Sequence, residues 1–509
     1  MATIKRNDRK ASAEPAFKWT PLLNLAVRIL RGCGLQVMAI LILFFCLVPV
    51  DALRQHNHAI AACLQLLLGV VNDRASQWMV YVSFCLYFAL FVYLRSRFNS
   101  TDPLASGARL CLVALTVISA LEYCFGPSTS SSALLFIGGP MLGNCIALGF
   151  EASQSGNARW MGVLSVLCVF TVAAMSTAQD ADIVSYYEYG GRVRWSGPWG
   201  NPNIGGLLMG VDAVIGFGCL MLLPPNQKCF GSRQDSKNNA VKTIGRFGIP
   251  FLLIFNTALA ARWLFLSYSR GAWLGAICGG ILLFWLSAAA FQRIDVAHGA
   301  HFRRFQLRPG VLRRLRKNAF PFIVIIASVI AICFWRFQDS AWHPVRRAFS
   351  SVNSQDFSWR NRVEAWRGAL QIMGEHPWLG VGWDRPELLY EHYYMPPKLS
   401  EGEAVVLNDY LTVGTSLGIP AMALFVAYLW LSCARKASRV FESPNCLPLA
   451  TVGLGACCVL LIGFWLDGGL FKLPTAVAFW FLLEFGNADN RGNECGILEE
   501  SPPTNCADT

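Results

Sequence analysis

The chain has 509 residues, 54% hydrophobic and only 15% charged, with a mean hydropathy of +0.42. A soluble protein carries about 25% charged residues, so this composition excludes an ordinary soluble enzyme and implies an integral membrane protein. The net charge of +12 calls for no nucleic-acid partner, because Lys and Arg concentrate in the cytoplasmic loops of membrane proteins for reasons of orientation.

The N-terminal arm, residues 1–34, carries 7 Lys and Arg. It lies too far from its first apolar run for a signal peptide. A spanning helix needs about 20 apolar residues. Twelve such runs are expected, at 35–50, 77–94, 110–125, 133–150, 160–178, 204–223, 247–266, 271–291, 319–336, 410–433, 447–466 and 470–486. A further run from Ala59 to Val71 has 13 residues, and periodicity cannot decide whether it spans.

Charge resolves that ambiguity. With this run excluded and the N-terminus cytoplasmic, 28 Lys and Arg fall in cytoplasmic segments and 12 in external ones. Counting it as a span would throw Arg95 and Arg97 outside, against the positive-inside rule. The expected fold is therefore an all-α polytopic membrane protein of about 12 transmembrane helices, with both termini cytoplasmic. Its expected divisions are the arm 1–34, a membrane domain 35–336 that includes an external loop 179–203 and a basic cytoplasmic loop 292–318, an external loop domain 337–409, a second membrane domain 410–486, and a cytoplasmic tail 487–509.

The 18 Cys mostly fall inside apolar runs, among them Cys46, Cys85, Cys168, Cys278 and Cys457, where Cys behaves as a small hydrophobe. No CxxC pair has metal spacing, so neither a zinc site nor a disulfide framework is expected.

Three stretches carry polar chemistry, and all face outward in this arrangement. RVRWSGPWGNPN, Arg192 to Asn203, holds Arg194 among turn-forming Gly and Pro. Asn203 opens a span there, where a helix N-cap is the plain alternative. LSYSRGAWLGA, Leu266 to Ala276, is a very short connection that puts Arg270 at the rim of the membrane. An ionisable group there points to function, against snorkelling to headgroups. Arg262 is a weaker candidate within an apolar run, where it would need an acidic partner.

The third stretch, from Trp359 to Trp383, lies in a 73-residue external loop holding ten acids against seven Lys and Arg. Arg362, Trp366, Ala369 and Leu370 recur at helical spacing. Pro377 ends that helix, and Gly380 to Gly382 turn the chain. The plain reading is an amphipathic helix lying on the membrane.

The order GPWGNPN, SRGA, R-x-x-x-W with HPWLGVG, and LNDYLTVGTSLGIPA resembles the O-antigen ligase and polymerase superfamily of bacterial envelopes, over residues 190–430. The resemblance implies a C-type glycosyltransferase architecture in the bacterial inner membrane. It implies transfer of glycan from an undecaprenyl-diphosphate carrier to an acceptor hydroxyl of a glycan or lipid, at the external face and without a cofactor. Membrane lipid is then a partner and nucleic acid is not. A lipid-diphosphate leaving group needs fixed cations, and the planar guanidinium matches phosphate oxygens without losing its proton. Arg270 and Arg362 would clamp it, requiring no metal, with substrate contacts from Arg194, Asn203, Trp366, Asn408 and Asp409.

One departure stands out. Family ligases use an external histidine, often in an HN pair, where this chain reads Leu407-Asn408. Glu403 or His392 would have to supply the base. The rival expectation is a non-catalytic or transport-associated relative of the same superfamily.

Overall fold

The computed structural model describes residues 103–126, 131–151, 188–189, 192–222, 249–297, 357–396, 408–442 and 447–485, with short helical pieces between 39 and 47 and between 166 and 171. The expected spans 77–94 and 319–336, the run 59–71, the loop 292–318 beyond residue 297, Lys398, Glu403, Leu407 and both termini lie outside the described residues.

The described architecture is helical. In chain order it comprises α1 (Pro103–Phe125), α2 (Ser131–Glu151), α3 (Pro202–Leu222), α4 (Ile249–Leu266), α5 (Arg270–Ala297), α6 (Phe357–Glu375), α7 (Arg385–Leu389) continued by a π-turn Tyr390–Tyr394, α8 (Asp409–Leu417), α9 (Ile419–Glu442), α10 (Leu447–Leu466) and α11 (Leu473–Glu484). Two-residue strands β1 (Glu188–Tyr189) and β2 (Arg192–Val193) pair antiparallel just before α3. Among the described residues, five helices are long and apolar enough to cross a membrane: α1, α2, α3, α5 to Ala289, and α10. The chain is a multi-pass membrane protein.

Small residues set the central packing. Gly271, Gly275 and Gly279 recur every four residues on α5. A Cβ on Gly275 would lie 2.6 Å from the Val459 carbonyl oxygen, and one on Gly279 2.4 Å from that of Gly455. Backbones approach this closely in membrane helix pairs because lipid supplies no hydrophobic drive and contact must come from small side chains. The core lies where α3, α5, α10 and α11 meet, with Leu207, Val459, Phe479 and Trp480 fully buried.

Neighbouring helices report the two ends of the bundle. Gly107 near the start of α1 faces Leu431, a Cβ there lying 3.2 Å from Leu431 Cδ1. Near the other end of α1, Glu122 Oε1 accepts a hydrogen bond from the Trp383 amide at 3.3 Å. Thus α1 runs against α9. At the Leu431 end, the buried Lys436 donates to the carbonyls of Leu482, Leu483 and Phe485. An ammonium satisfies the orphan carbonyls that end α11 and suits their negative partial charge.

The span expected at 410–433 is two helices. Gly418, with φ +90, breaks α8 from α9, a backbone conformation that favours glycine. The run at 470–486 yields only the 12-residue α11, since the chain is extended at Lys472 and Pro474 lies in the helix's first turn.

Candidate active site

The site is built at the end of the bundle where Glu122 and Trp383 meet. Its first wall is the turn between α4 and α5. Tyr268 occupies the left-handed region at φ 53, uncommon for a bulky residue and strained. The chain then reaches Ser269, which starts α5. The Ser269 hydroxyl accepts from the Ala272 amide at 3.2 Å and donates to Asp467 Oδ2 at 2.5 Å. Arg270 is the first residue of α5 and is half-buried.

Asp467, just past α10, joins this turn to α6. Its Oδ1 lies 2.8 Å from Arg362 Nη2, and both side chains are buried. Gly271 makes room for the carboxylate, since a Cβ there would stand 2.4 Å from Asp467 Oδ2. One acid therefore orients an arginine of α6 and fixes the helix start that carries Arg270. A carboxylate beside a helix N-terminus is also favoured by the macrodipole.

Arg194 holds the second wall. Its Nε donates to the Ser267 carbonyl at 2.9 Å and its Nη2 to Asn203 Oδ1 at 2.8 Å. The Trp195 amide donates to the Leu266 carbonyl at 3.0 Å, and its ring stacks on Trp263 at 4.8 Å. Arg194, Asn203 and the Ser267–Gly271 turn are thus one assembly. The N-cap expectation for Asn203 is corrected: Asn201 caps α3, its Oδ1 accepting from the Asn203 amide at 2.8 Å. Pro202 occupies the first turn, where a missing N–H costs nothing, and Asn203 is left to receive Arg194.

On α6 the buried face runs through Asn361, Arg362, Ala365, Ala369, Ile372 and Met373. Leu370, expected on that face, is 58% exposed. The face packs on protein, with Ala369, Met373 and Leu411 in one cluster beside Trp366. The Trp366 ring centroid sits 5.8 Å from those of both Trp359 and Trp465, so three indoles cluster between α6 and the end of α10.

Asn408 and Asp409 are buried and used internally. Asn408 Oδ1 accepts from the Leu411 amide at 3.1 Å as the cap of α8, and Asp409 Oδ2 accepts from the Leu470 amide at 2.8 Å. They join α8 to the segment after Asp467. His392 lies exposed on the π-turn, its Nδ1 2.8 Å from the Leu388 carbonyl. Arg262 is exposed, its guanidinium 5.2 Å from the Trp263 ring centroid, a cation–π contact where an acidic partner was the expectation. Beside the π-turn, the Tyr394 hydroxyl donates to Glu375 Oε2 at 2.6 Å, and that bond raises the tyrosine above its ordinary pKa.

Sequence reasoning missed Asp467. Its signal was available, an acid ending the apolar run LLIGFW in a short connection, given that a buried arginine must be paired. Among the described residues no three His, Cys, Asp or Glu side chains gather to hold a metal.

Residues 255–426 match the family model described as O-antigen ligase. This match supports a place in the O-antigen ligase/polymerase superfamily. The matched O-antigen ligase segment runs from α4 to α9 and contains Arg270, Arg362, His392, Asn408 and Asp409. Arg194, Asn203 and Asp467 lie outside it and reach it through the hydrogen bonds above. No curated protein matches the chain significantly.

Proposed function

We propose that this protein is a glycosyltransferase of the bacterial inner membrane with about 12 spans, both termini cytoplasmic and a C-type architecture. It moves glycan from an undecaprenyl-diphosphate carrier to an acceptor hydroxyl of a glycan or lipid at the external face. The observation that carries the proposal is the bridge Arg362–Asp467–Ser269, which sets an arginine of α6 beside the start of the helix bearing Arg270. In this reading residues 337–409 form an external domain between the membrane domains 35–336 and 410–486. The arm 1–34, the loop 292–318 and the tail 487–509 face the cytoplasm, and the loop 179–203 faces outward.

The chemistry follows from charge. As the glycosidic bond to the carrier breaks, negative charge builds on the diphosphate oxygens. Guanidinium groups already oriented lower that barrier without reorganising. Asp467 holds Arg362 in place, so Asp467 is a positioning residue. An open apolar groove of about 330 Å³, lined by Ala261, Leu264, Phe265, Trp273, Ala276 and Ile277, adjoins the Ser267–Arg270 turn and suits the polyprenyl tail. Arg194, Asn203, Trp366, Asn408 and Asp409 supply or brace the substrate contacts, and Glu403 or His392 takes the acceptor proton.

A transport-associated role is the second reading. It is favoured by Asp212, buried halfway along α3, whose Oδ1 accepts from Asn256 Nδ2 at 3.1 Å. Such intramembrane acids occur in ion and proton paths. Envelope glycans of a deletion strain separate the two. Accumulated lipid-linked glycan supports transfer, whereas unchanged glycan with altered solute uptake supports transport.

A further inference from the structure

The turn His376–Leu379, between α6 and the next glycine turn, presents Trp378 and Leu379 at 76% and 79% exposure. Adjacent large apolar side chains this open point to an interaction surface when they join a wider apolar patch. The turn is not a loose loop. The Ile419 amide donates to the Pro377 carbonyl at 2.8 Å, the Val381 amide to Thr415 at 2.9 Å and the Gly382 amide to Ser416 at 3.0 Å. A Cβ on Gly418 would lie 2.4 Å from the Trp378 carbonyl oxygen. The turn is therefore clamped to the junction of α8 and α9.

From that junction an apolar stripe continues down α9. Ile419, Pro420, Ala423, Val426 and Trp430 are exposed at steps of one, three, three and four residues, with Trp430 at 74%. No charged residue occurs between Asp409 and Arg435. Ile419 to Trp430 spans about 17 Å at ~1.5 Å per residue, roughly half of a hydrocarbon core. Such an uncharged stripe, on a helix packed against the spanning helix α1, fits lipid as its solvent.

We infer that Trp378 and Leu379 extend this stripe into the outer edge of the bilayer, so that the His376–Leu379 turn is a lipid-embedded wedge. Trp suits that depth, its ring lying among headgroups and acyl boundaries. Because α6 leads directly into the turn, the wedge sets the height of Arg362 relative to the lipid surface. The inference rests on the membrane placement of α9 and not on the reaction.

The test replaces Trp378 or Trp430 in turn with the photo-crosslinking residue p-benzoylphenylalanine, in the full chain. The protein is placed in nanodiscs of phosphatidylethanolamine and phosphatidylglycerol, irradiated, and its adducts are read by mass spectrometry. Lipid adducts at both positions are expected. Lipid at 430 with none at 378, or with a protein peptide attached at 378, overturns the wedge. Failure to capture lipid at both overturns it too, because the stripe would then not face the bilayer. No glycan transfer is read, so such a failure leaves the proposed reaction standing.

Discussion

Asp467 Oδ1 lies 2.8 Å from Arg362 Nη2 in a buried ion pair, while the other oxygen of the same carboxylate receives the Ser269 hydroxyl. Removing one member of such a pair strands the other in a poorly solvated place, at a cost of about 3–5 kcal/mol. Arg362→Met and Asp467→Asn are each expected to destabilise the folded protein by that order. The double variant should lose less than the two single losses combined. Unfolding in detergent, read as a double-mutant cycle, checks this, and strict additivity would show that the pair is not coupled.

Gly271→Ala tests the carboxylate's seat. The added Cβ would stand 2.4 Å from Asp467 Oδ2, so Asp467 must move away from Ser269 or the start of α5 must shift. Glycan transfer should fall about tenfold or more, as expected when positioned charge is displaced by a fraction of an ångström. Gly280→Ala serves as the control, since a Cβ there meets nothing within 4 Å. Equal transfer by the two variants would argue against an oriented Asp467.

In the proposed reaction, Leu407 at the position of the family histidine leaves the acceptor proton to another group, a contribution of typically about 10²–10⁴ in rate. Glu403→Gln keeps size and hydrogen bonding while removing the base, and transfer should drop at least about tenfold. His392, exposed and bonded to its own turn, is the second choice, tested by His392→Gln. Normal transfer in both variants sinks the substitute-base idea. Leu407→His gives the converse test, a gain in transfer being expected.

Orientation is checked by tags. Reporters on both termini and within 292–318 should read cytoplasm, and one at Lys398 should read the external side, as the 28-to-12 charge partition requires. A cytoplasmic reading at Lys398 would move the whole site to the wrong face.

The Tyr394–Glu375 bond gives a pH dependence. The folded pKa of Tyr394 is raised, so its contribution is fully present below the ordinary tyrosine value of about 10. It disappears as pH rises through the folded value, where the neutral donor is lost. The stability difference between wild type and Tyr394→Phe should follow that course, measured by thermal unfolding from neutral to strongly alkaline pH. A difference that persists unchanged into the alkaline range would assign it to packing.

The membrane class, most of the described helices and the segments that carry the arginines are legible in the linear pattern of residues. Apolar length is read along one dimension, and so are Pro and Gly as helix breakers, which is why α6 could be ended at Pro377 and turned at Gly380 and Gly382 before any packing was known. Partnership is not one-dimensional. Asp467 stands 105 residues from Arg362 and 198 from Ser269, and its local signal, an acid ending an apolar run, does not say which side chains it meets. Asn201 and Asn203 are equally good caps by composition; the cap bond at Asn201 and the approach of Arg194 to Asn203 divide their roles. The exposure of Leu370 and the break at Gly418 were likewise decided in three dimensions. Which side of a helix meets protein, and where a span must yield to a neighbour's backbone, depend on what packs against it.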